Sequence, residues 1–360
     1  MFYRNLHGGF LLTFLFLILY SGCGINDPQP RPDEQFEQIA LAQTTVNRFI
    51  ENGNLLYAVT EDGIYSSELV DNESPVWENE GLDGLNVTGM VVLTGGSLLA
   101  GVQRDDQQSA EPVFYTKDAF GGGWEAVETN YGGQENYTWI NALERHPQQP
   151  DVIFARGSYN ASRSTNGGET WQVVFGDWDF AGYQADLLEF DPRNTDRVWI
   201  GGESAIFQPY LFYSDNQGQN WEEIEIDAGG DNAVYSMAFH PDDEDRFLLG
   251  IEGEIRTTND LGETWSESYT DDSYPYILTM TTPNGEISET VYASGTEEGA
   301  AGGNLYFLVT EDFGETWEKT SAEPVRQNMS VNDINVQDTH LETTIRLATN
   351  RGIWSYRILK

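Results

Sequence analysis

Five segments of this 360-residue chain carry carboxylates, and four of them place aromatic rings beside these carboxylates, a combination suited to binding. Flat rings can stack on sugars or on a partner's side chains, and carboxylates can accept hydrogen bonds or ligate a hard cation. The segments are NYGGQENYTW (130–139), GDWDFAGYQAD (176–186), DAGGDNAVY (227–235), YTDDSYPY (269–276) and AEPVRQNMSVND (322–333). Their candidate binding residues are Tyr137, Trp139, Trp178, Asp179, Tyr183, Asp186, Asp231, Asn232, Asp272, Tyr274, Arg326 and Asn332. The alternative is structural: the rings fill space between sheets and the carboxylates cap turns.

A repeated pattern, Ser/Thr-x-Asp/Asn-x-Gly-x-x-Trp, lies between these segments. A longer version, TKDAFGGGW (116–124), and a decayed one ending at Trp77 extend the series toward the amino terminus. A period of roughly 40–50 residues that contains several short strands is typical of a β-propeller blade. The clear copies are STNGGETW (164–171), SDNQGQNW (214–221), TNDLGETW (258–265) and TEDFGETW (310–317).

Short apolar runs between the copies predict the remaining strands. Innermost strands are predicted at 140–147, 186–192, 234–241 and 277–283, each ending in a proline that stops strand pairing. The end of the chain supplies three strands, and FEQIALAQ (36–43) can add the fourth and close the ring. We therefore predict an all-β fold: a single β-propeller over 36–360 with seven four-stranded blades, six or eight blades being the alternatives.

The repeated pattern resembles the Asp-box, or bacterial neuraminidase repeat. The resemblance implies a hairpin turn between the third and fourth strands of a blade. There the Asp or Asn and the Ser or Thr bind backbone N–H groups, Gly supplies a positive φ, and Trp buries its ring. It gives a structural role to Ser164, Asn166, Gly168, Trp171, Ser214, Asn216, Gly218, Trp221, Thr258, Asp260, Gly262, Trp265, Thr310, Asp312, Gly314 and Trp317. The loops between blades lie on the face opposite these turns, so we place the candidate binding surface there.

The first 22 residues predict a secretory signal peptide. Arg4 precedes an apolar run at 10–20, which is too short to span a bilayer core of about 30 Å. The following Ser21-Gly22-Cys23 resembles a bacterial lipoprotein processing site, although Tyr20 stands where leucine is usual. The resemblance implies cleavage before Cys23, lipidation of Cys23, a flexible tether at 23–35, and a position in the bacterial cell envelope on the extracytoplasmic side, periplasmic or at the cell surface. The alternative is an ordinary signal peptide followed by a chance cysteine.

The charge is strongly negative, with 18 basic residues, 59 acidic residues and a net charge of −41. Such a surface repels nucleic acid and anionic lipid headgroups, so we expect no nucleic-acid partner and membrane contact only through the lipid anchor. The acids are scattered along the chain, which favours a solvated acidic shell over one that attracts cations or basic partners. We expect a monomer.

Asp-box propellers include sialidases and other glycosidases, but the sequence assigns no catalytic residue. Arg48, in NRFI (47–50), lacks the aromatic-Arg-Ile-Pro context of the first sialidase arginine. A carboxylate pair for glycoside hydrolysis carries no information in a chain with 59 acids. No zinc, nucleophile-elbow or phosphate-loop motif occurs, so no metal or cofactor is expected. We predict a binding or assembly module for a protein or glycan; the alternative is a carbohydrate-active enzyme, either a glycosidase or a polysaccharide lyase.

Overall fold

The computed structural model describes residues 35–70, 75–104, 113–131, 139–176, 182–227, 232–297, 303–322 and 328–360. These residues form seven antiparallel sheets of four strands each, arranged as the blades of a propeller. Two short 3₁₀ turns, Thr94–Gly96 and Pro283–Gly285, are the helical elements among them. The prediction of an all-β, seven-bladed propeller is therefore confirmed.

The strands follow the chain blade by blade, each blade running from the central channel to the rim. The chain opens with β1 (Glu37–Ala40), which belongs to the last blade. Blade 1 contains β2 (Val46–Asn52), β3 (Leu55–Thr60), β4 (Gly63–Glu68) and β5 (Glu78–Gly81). Blade 2 contains β6 (Asn86–Val92), β7 (Leu98–Gln103), β8 (Phe114–Lys117) and β9 (Glu125–Ala126). Blade 3 contains β10 (Ala142–Arg145), β11 (Ile153–Arg156), β12 (Asn160–Ser164) and β13 (Gln172–Gly176).

The second half of the chain continues the same order. Blade 4 contains β14 (Tyr183–Phe190), β15 (Val198–Ser204), β16 (Pro209–Ser214) and β17 (Glu222–Ile224). Blade 5 contains β18 (Val234–Phe239), β19 (Phe247–Ile251), β20 (Glu254–Thr258) and β21 (Ser266–Thr270). Blade 6 contains β22 (Pro275–Thr281), β23 (Val291–Glu297), β24 (Tyr306–Thr310) and β25 (Glu318–Ser321). Blade 7 contains β26 (Val331–Asp338), β27 (Glu342–Thr349) and β28 (Gly352–Leu359).

The first strand closes the ring. β1 pairs antiparallel with β28 and becomes the outermost strand of blade 7, as the sequence predicted for 36–43. Phe36, just before β1, packs its ring 5.0 Å from that of Tyr356 and 5.9 Å from that of Phe307. The two ends of the described chain are thus held in one sheet, in which β1 covers β28 and becomes the outer edge.

Hydrogen bonds join the innermost strands of neighbouring blades. Asn47 Nδ2 donates to the Val87 carbonyl at 2.7 Å, and Asn332 Nδ2 donates to the Val46 carbonyl at 2.9 Å. Both asparagines sit at β-bulges, one extra residue in the innermost strand that redirects its side chain. Each bond satisfies a backbone acceptor that faces the next blade rather than its own sheet.

The Asp-box turns repeat one hydrogen-bond pattern in blades 3 to 6. In blade 5, Thr258 Oγ1 donates to Asp260 Oδ1 at 2.8 Å and accepts the Gly262 N–H at 2.9 Å. Asp260 Oδ1 also accepts the Thr264 N–H at 2.8 Å. The turn packs beside the connection between the first two strands of its blade, since Leu261 N–H donates to the Asp245 carbonyl at 2.8 Å. Both kinds of turn therefore lie on one face, called here the box face, and the connections between blades lie on the opposite, inter-blade face.

Candidate functional site

Two polar regions of the propeller combine groups that could bind a ligand. The first is the channel cluster, made of Arg48, Glu144, Glu189 and Asp333 on the innermost strands of blades 1, 3, 4 and 7. The second is the aromatic face on blades 4 to 6, made of Tyr183, Asp186, Tyr235, Tyr274 and Tyr276. They occupy different parts of the channel, and they differ in how their charges are compensated.

The channel cluster borders a cavity of about 420 Å³, a size that suits a small molecule. Its wall includes Glu51, Asn52, Arg145 and Asn335. These residues lie toward the ends of their innermost strands, which lead into connections on the box face. The cavity therefore opens toward the box face rather than the inter-blade face, where we had placed the site.

The guanidinium group of Arg48 interacts with the carboxylates of the channel cluster. Arg48 Nη1 donates to Glu144 Oε1. Asp333 accepts the Phe49 N–H at 2.7 Å and the Thr279 hydroxyl at 3.0 Å. The chain thus places Arg48 against three acids, and the positive charge of Arg156 also acts on Glu144 and Glu189.

Burial and mutual repulsion raise the pKa values of the acids in this cluster. Burial, followed by the charge of Glu144, raises the pKa of Glu189 to about 8. Burial also raises the pKa of Glu144 and of Asp333, against the opposing effect of Arg48. Glu189 is therefore mostly a neutral carboxylic acid at pH 7, close to carboxyls that interact with Arg48. A proton-donating acid near a carboxylate is the arrangement that general acid–base chemistry uses.

A second charged pair, Arg156 with Asp186, lies nearer the inter-blade face. Arg156 Nη1 is 4.0 Å from Asp186 Oδ1 and also donates to the Ala185 carbonyl of the next blade. Burial lowers the pKa of Arg156 and raises that of Asp186, while each group's charge opposes the shift of the other. Arg156 thus compensates Asp186 and joins blade 3 to blade 4.

Three tyrosines of the aromatic face stand side by side on blades 5 and 6. The Tyr235 and Tyr276 rings are stacked, with centroids 6.4 Å apart and planes inclined by 16°. The Tyr274 ring meets Tyr276 edge-on at 6.2 Å, and the Tyr274 hydroxyl donates to Asn232 Oδ1 at 3.3 Å. Tyr274 keeps 39% of its surface exposed. The group presents ring surface to solvent on the inter-blade face.

Carboxylates surround these rings. Burial, followed by the charges of Glu252 and Asp186, raises the pKa of Tyr235, which places both acids near its hydroxyl. On blade 4, Tyr183 is 36% exposed and packs its ring 4.9 Å from that of Tyr210. The aromatic face therefore continues from blade 4 to blade 6 as exposed rings among acidic groups.

A lysine network borders the aromatic face on blade 6. Lys319 Nζ contacts Glu297 at 2.7 Å and Asp271 at 3.0 Å, and it lies 4.6 Å from the Tyr306 ring centroid. Although burial opposes it, hydrogen bonds from Ser273, Tyr269 and Lys319 lower the pKa of Asp271 to about 2. The positive charge of Lys319 is therefore compensated locally and does not offset the negative charge of the rest of the face.

The sequence candidates fall into three groups. Tyr183, Asp186, Asn232 and Tyr274 come together on the aromatic face, and Asp272 lies exposed beside Asp271. Trp139 and Asn332 make structural contacts: the Trp139 indole donates to the Arg104 carbonyl at 3.0 Å, and Asn332 joins blade 7 to blade 1. The candidates that lie outside the described residues are Tyr137, Trp178, Asp179, Asp231, Arg326 and the lipidation residue Cys23.

Sequence reasoning missed the channel cluster. Arg48 was considered only as a sialidase arginine, while Glu144, Glu189 and Asp333 were not singled out. A signal was present for Glu189, which is the charged residue in the otherwise apolar run LLEF (187–190). Charged residues are rarely buried unless they are paired, so such positions point to a polar channel.

The described residues contain neither a metal-binding group of side chains nor a helix that could cross a membrane. No group of three or more His, Cys, Asp or Glu side chains among them is arranged to hold a metal ion. Within the same residues, no helix has the length and apolar character needed to cross a membrane. Of the histidines, His240 lies toward the box face, its ring centroid 4.8 Å from that of Phe313 in the blade 6 turn.

Comparison with known proteins supports the repeat and the fold. Residues 212–223 match the family model of the BNR/Asp-box repeat. No curated protein sequence matches the chain.

Solved propellers resemble the chain in fold at low sequence identity. A GH74 xyloglucanase from Xanthomonas campestris is 14% identical, with a TM-score of 0.67 over 89% of this chain and 53% of its own. The extracellular domain of a one-component system from B. thetaiotaomicron is 13% identical, with a TM-score of 0.63 over 90% of this chain and 40% of its own. YCF48 bound to the D1 peptide is 13% identical, with a TM-score of 0.62 over 92% of this chain and 98% of its own.

The first two relatives are much longer than the region that matches, since this chain spans 53% and 40% of their lengths. At 13–14% identity, the three similarities establish the fold and leave the ligand open. Propellers of this shape therefore include a glycoside hydrolase, an extracellular domain of a bacterial protein and a protein bound to a peptide. This chain is a seven-bladed β-propeller that carries the BNR/Asp-box repeat.

Proposed function

We propose that this chain is a monomeric binding module of the bacterial cell envelope, anchored through a lipid on Cys23, whose aromatic face binds a protein or glycan ligand. The observation that carries the proposal is the run of tyrosine rings among carboxylates on blades 4 to 6, in which Tyr183 and Tyr274 are exposed and Tyr235 and Tyr276 are half-buried. Tyrosines supply large contact areas and lose little conformational freedom on binding, and neighbouring carboxylates orient a ligand through hydrogen bonds.

The solved relatives are consistent with either ligand class. One of them is a xyloglucanase and another was solved with a peptide, on the same fold. Neither ligand transfers to this chain through fold similarity alone, so the ligand class must be tested directly.

The test is binding of the purified chain to a glycan array and a peptide array, followed by the variant Tyr276→Ala. We expect binding on one array and a loss of roughly tenfold or more in affinity for the variant, because Tyr276 contacts both neighbouring rings. The control is Phe120→Ala, which removes an exposed ring in the blade 2 turn on the box face. Equal binding by wild type and Tyr276→Ala would reject the aromatic face as the site.

The anchor has a separate test. Replacing Cys23 with Ser removes the sulfur that a lipid would modify. We expect the protein to move from the membrane fraction to the soluble extracytoplasmic fraction. Retention in the membrane would reject the anchor and leave the binding site unaffected.

A carbohydrate-active enzyme is the second candidate, and the channel cluster is the observation that favours it. Glu189, whose pKa is raised to about 8, lies near Glu144 beside a cavity that suits a small molecule. Glycosidases use one protonated and one ionised carboxyl. Release of reducing sugar from a polysaccharide panel, abolished by Glu189→Gln, would establish this activity in place of simple binding.

A further inference from the structure

Two apolar side chains project from the inter-blade end of blade 4. Ile206 is 71% exposed and Phe207 is 60% exposed. They occupy the tip of the hairpin between β15 and β16, which is closed by bonds from Phe207 N–H to the Ser204 carbonyl and from Ser204 N–H to the Gln208 carbonyl, both 2.8 Å. An exposed apolar pair on a rigid turn costs solubility, so it points to a role in contact with another molecule.

The backbone of this tip is unusual for its sequence. Phe207 has a φ of 60°, a left-handed conformation that bulky residues rarely adopt and that glycine or asparagine adopts easily. Because its ring is largely exposed, packing within the chain does not explain why a phenylalanine stands there. The turn thus holds an apolar ring out from the face, in a left-handed conformation that carries a cost for a bulky residue.

The surroundings of the tip are acidic and aromatic. Glu203 lies directly before the tip. Burial raises the pKa of Tyr235, and the negative charges of Glu252, Asp186 and Glu203 raise it further. The nearest cations described on this face are compensated: Arg156 by Asp186 and Lys319 by Glu297. Carboxylates next to ring faces favour a Lys or Arg side chain, through ion pairing and cation–π contact together.

We infer that the aromatic face, together with the Ile206–Phe207 tip, docks a segment of a partner protein that carries Lys or Arg beside apolar residues. The inference rests on the proposed binding function and specifies its ligand. The partner's cationic groups lie over the tyrosines and carboxylates of blades 4 to 6, and its apolar residues cover the tip. Glycans are less suited to this surface because they offer no charge to the acids and little apolar area to the tip.

The test uses defined peptides rather than an unknown partner. Fluorescein-labelled 12-residue peptides are compared by anisotropy with the purified chain: one of Lys and Arg alternating with Leu and Trp, one with Glu replacing the basic residues, and one with Ser replacing the apolar residues. We expect only the basic apolar peptide to bind, with affinity that falls as salt rises.

Matched variants locate the site. We expect Phe207→Ser to weaken binding of the basic apolar peptide by roughly tenfold, the loss usual for a buried aromatic anchor. Phe120→Ser is the control, since Phe120 is 97% exposed but lies on the box face. Thermal melts of both variants should match wild type because both rings are solvated. Equal binding by the two variants, or by the Ser-substituted peptide, would overturn the inference.

The outcomes separate this inference from the proposed function. If a glycan binds and Tyr276→Ala abolishes binding while the basic apolar peptide fails, the aromatic face is a binding site and the inference about its partner is wrong. If the arrays and the peptides all fail, both the proposed function and the inference fall.

Discussion

The Asp-box turns and the channel cluster solve the same problem, satisfying buried or half-buried polar groups, in opposite ways. Each box satisfies its groups within a few residues, as when the Ser214 hydroxyl donates to Asn216 Oδ1 at 2.9 Å and accepts the Gly218 N–H at 2.8 Å. The channel cluster is assembled from four blades, and Arg48 in blade 1 meets Glu144 in blade 3. The first arrangement is local and repeated, whereas the second exists only when the ring is complete.

This difference indicates which substitutions the fold tolerates. Loss of one box bond affects one turn, and the other blades keep their own. Loss of Arg48 leaves Glu144, Glu189 and Asp333 to repel one another in the channel. We therefore expect substitutions in the channel cluster to lower the stability of the whole propeller by an amount that depends on pH. Substitutions in a box turn should have smaller effects on stability, which depend on the position within the turn.

The largest effect is expected from Arg48→Ala. Arg48 and Glu144 form a half-buried ion pair, with 30% and 25% of their side chains exposed, so removing Arg48 leaves a poorly solvated charge and we expect a loss of about 2–3 kcal/mol in the free energy of unfolding. The measurement is urea unfolding at pH 8 and at pH 5. We expect the loss to shrink at pH 5, because the pKa values of the channel acids are raised and protonation then relieves their repulsion.

Arg145→Ala provides the matched control for Arg48→Ala. Arg145 follows Glu144 on β10 and borders the same cavity. We expect a change of about 0.5 kcal/mol, typical of a substitution outside a buried network. Comparable losses for the two arginines would mean that Arg48 does not hold the cluster together.

A smaller loss of stability is expected when alanine replaces either of two adjacent glycines in the blade 3 box, Gly167 and Gly168. A Cβ on Gly168, at a φ of 93°, would lie 2.6 Å from Leu99 Cδ2, whereas one on Gly167 meets no atom within 4 Å. The equivalents of Gly167 in the next three boxes are Gln217, Leu261 and Phe313, at φ values of 54°, 53° and 50°. We expect Gly168→Ala to lower the free energy of unfolding by about 2 kcal/mol and Gly167→Ala by less than about 1 kcal/mol. Equal midpoints in urea would show that the box tolerates both positions alike.

The contrast between turns and channel also explains how much the sequence could predict. The boxes recur at similar spacing, so four copies revealed the blade period and the turn positions, while the number of blades also depended on the degenerate units and on the strands at the two ends of the chain. Glu144 in LERHP (143–147) and Glu189 in LEFDP (188–192) hold the same place in their blades, but Arg48 and Asp333 belong to units without a clear box, so the repeat does not show that the four meet. Their proximity depends on ring closure, which brings blade 7 against blade 1 and places Asp333 close to Phe49.

The aromatic face was only partly predictable from the sequence, more than the channel cluster and less than the box turns. The loops between blades were placed on the correct face because strand order alone determines it. The contacts within the face, such as Tyr235 against Tyr276, depend on side-chain packing that spacing does not encode. The sequence did not point to the Ile206–Phe207 tip, because the tip joins the second and third strands of blade 4 and the predicted surface was built from the loops between blades.

The pH dependence of Glu189 gives the smallest and most specific prediction. Its pKa in the folded chain, about 8, exceeds the ordinary value of 4.5, so the folded state binds its proton more tightly than the unfolded state does. The stability linked to this group is complete below its unfolded pKa and is lost as pH rises toward 8. Replacing Glu189 with Gln removes the titration, so urea midpoints of the variant should decline less between pH 5 and 8. At pH 9 we expect the variant to exceed wild type by about 1–2 kcal/mol, because wild type then holds an ionised carboxylate beside Glu144. Identical profiles for the two proteins would mean that the Glu189 carboxyl is solvated well enough to ionise freely, and the channel would then resemble the box turns in the independence of its charges.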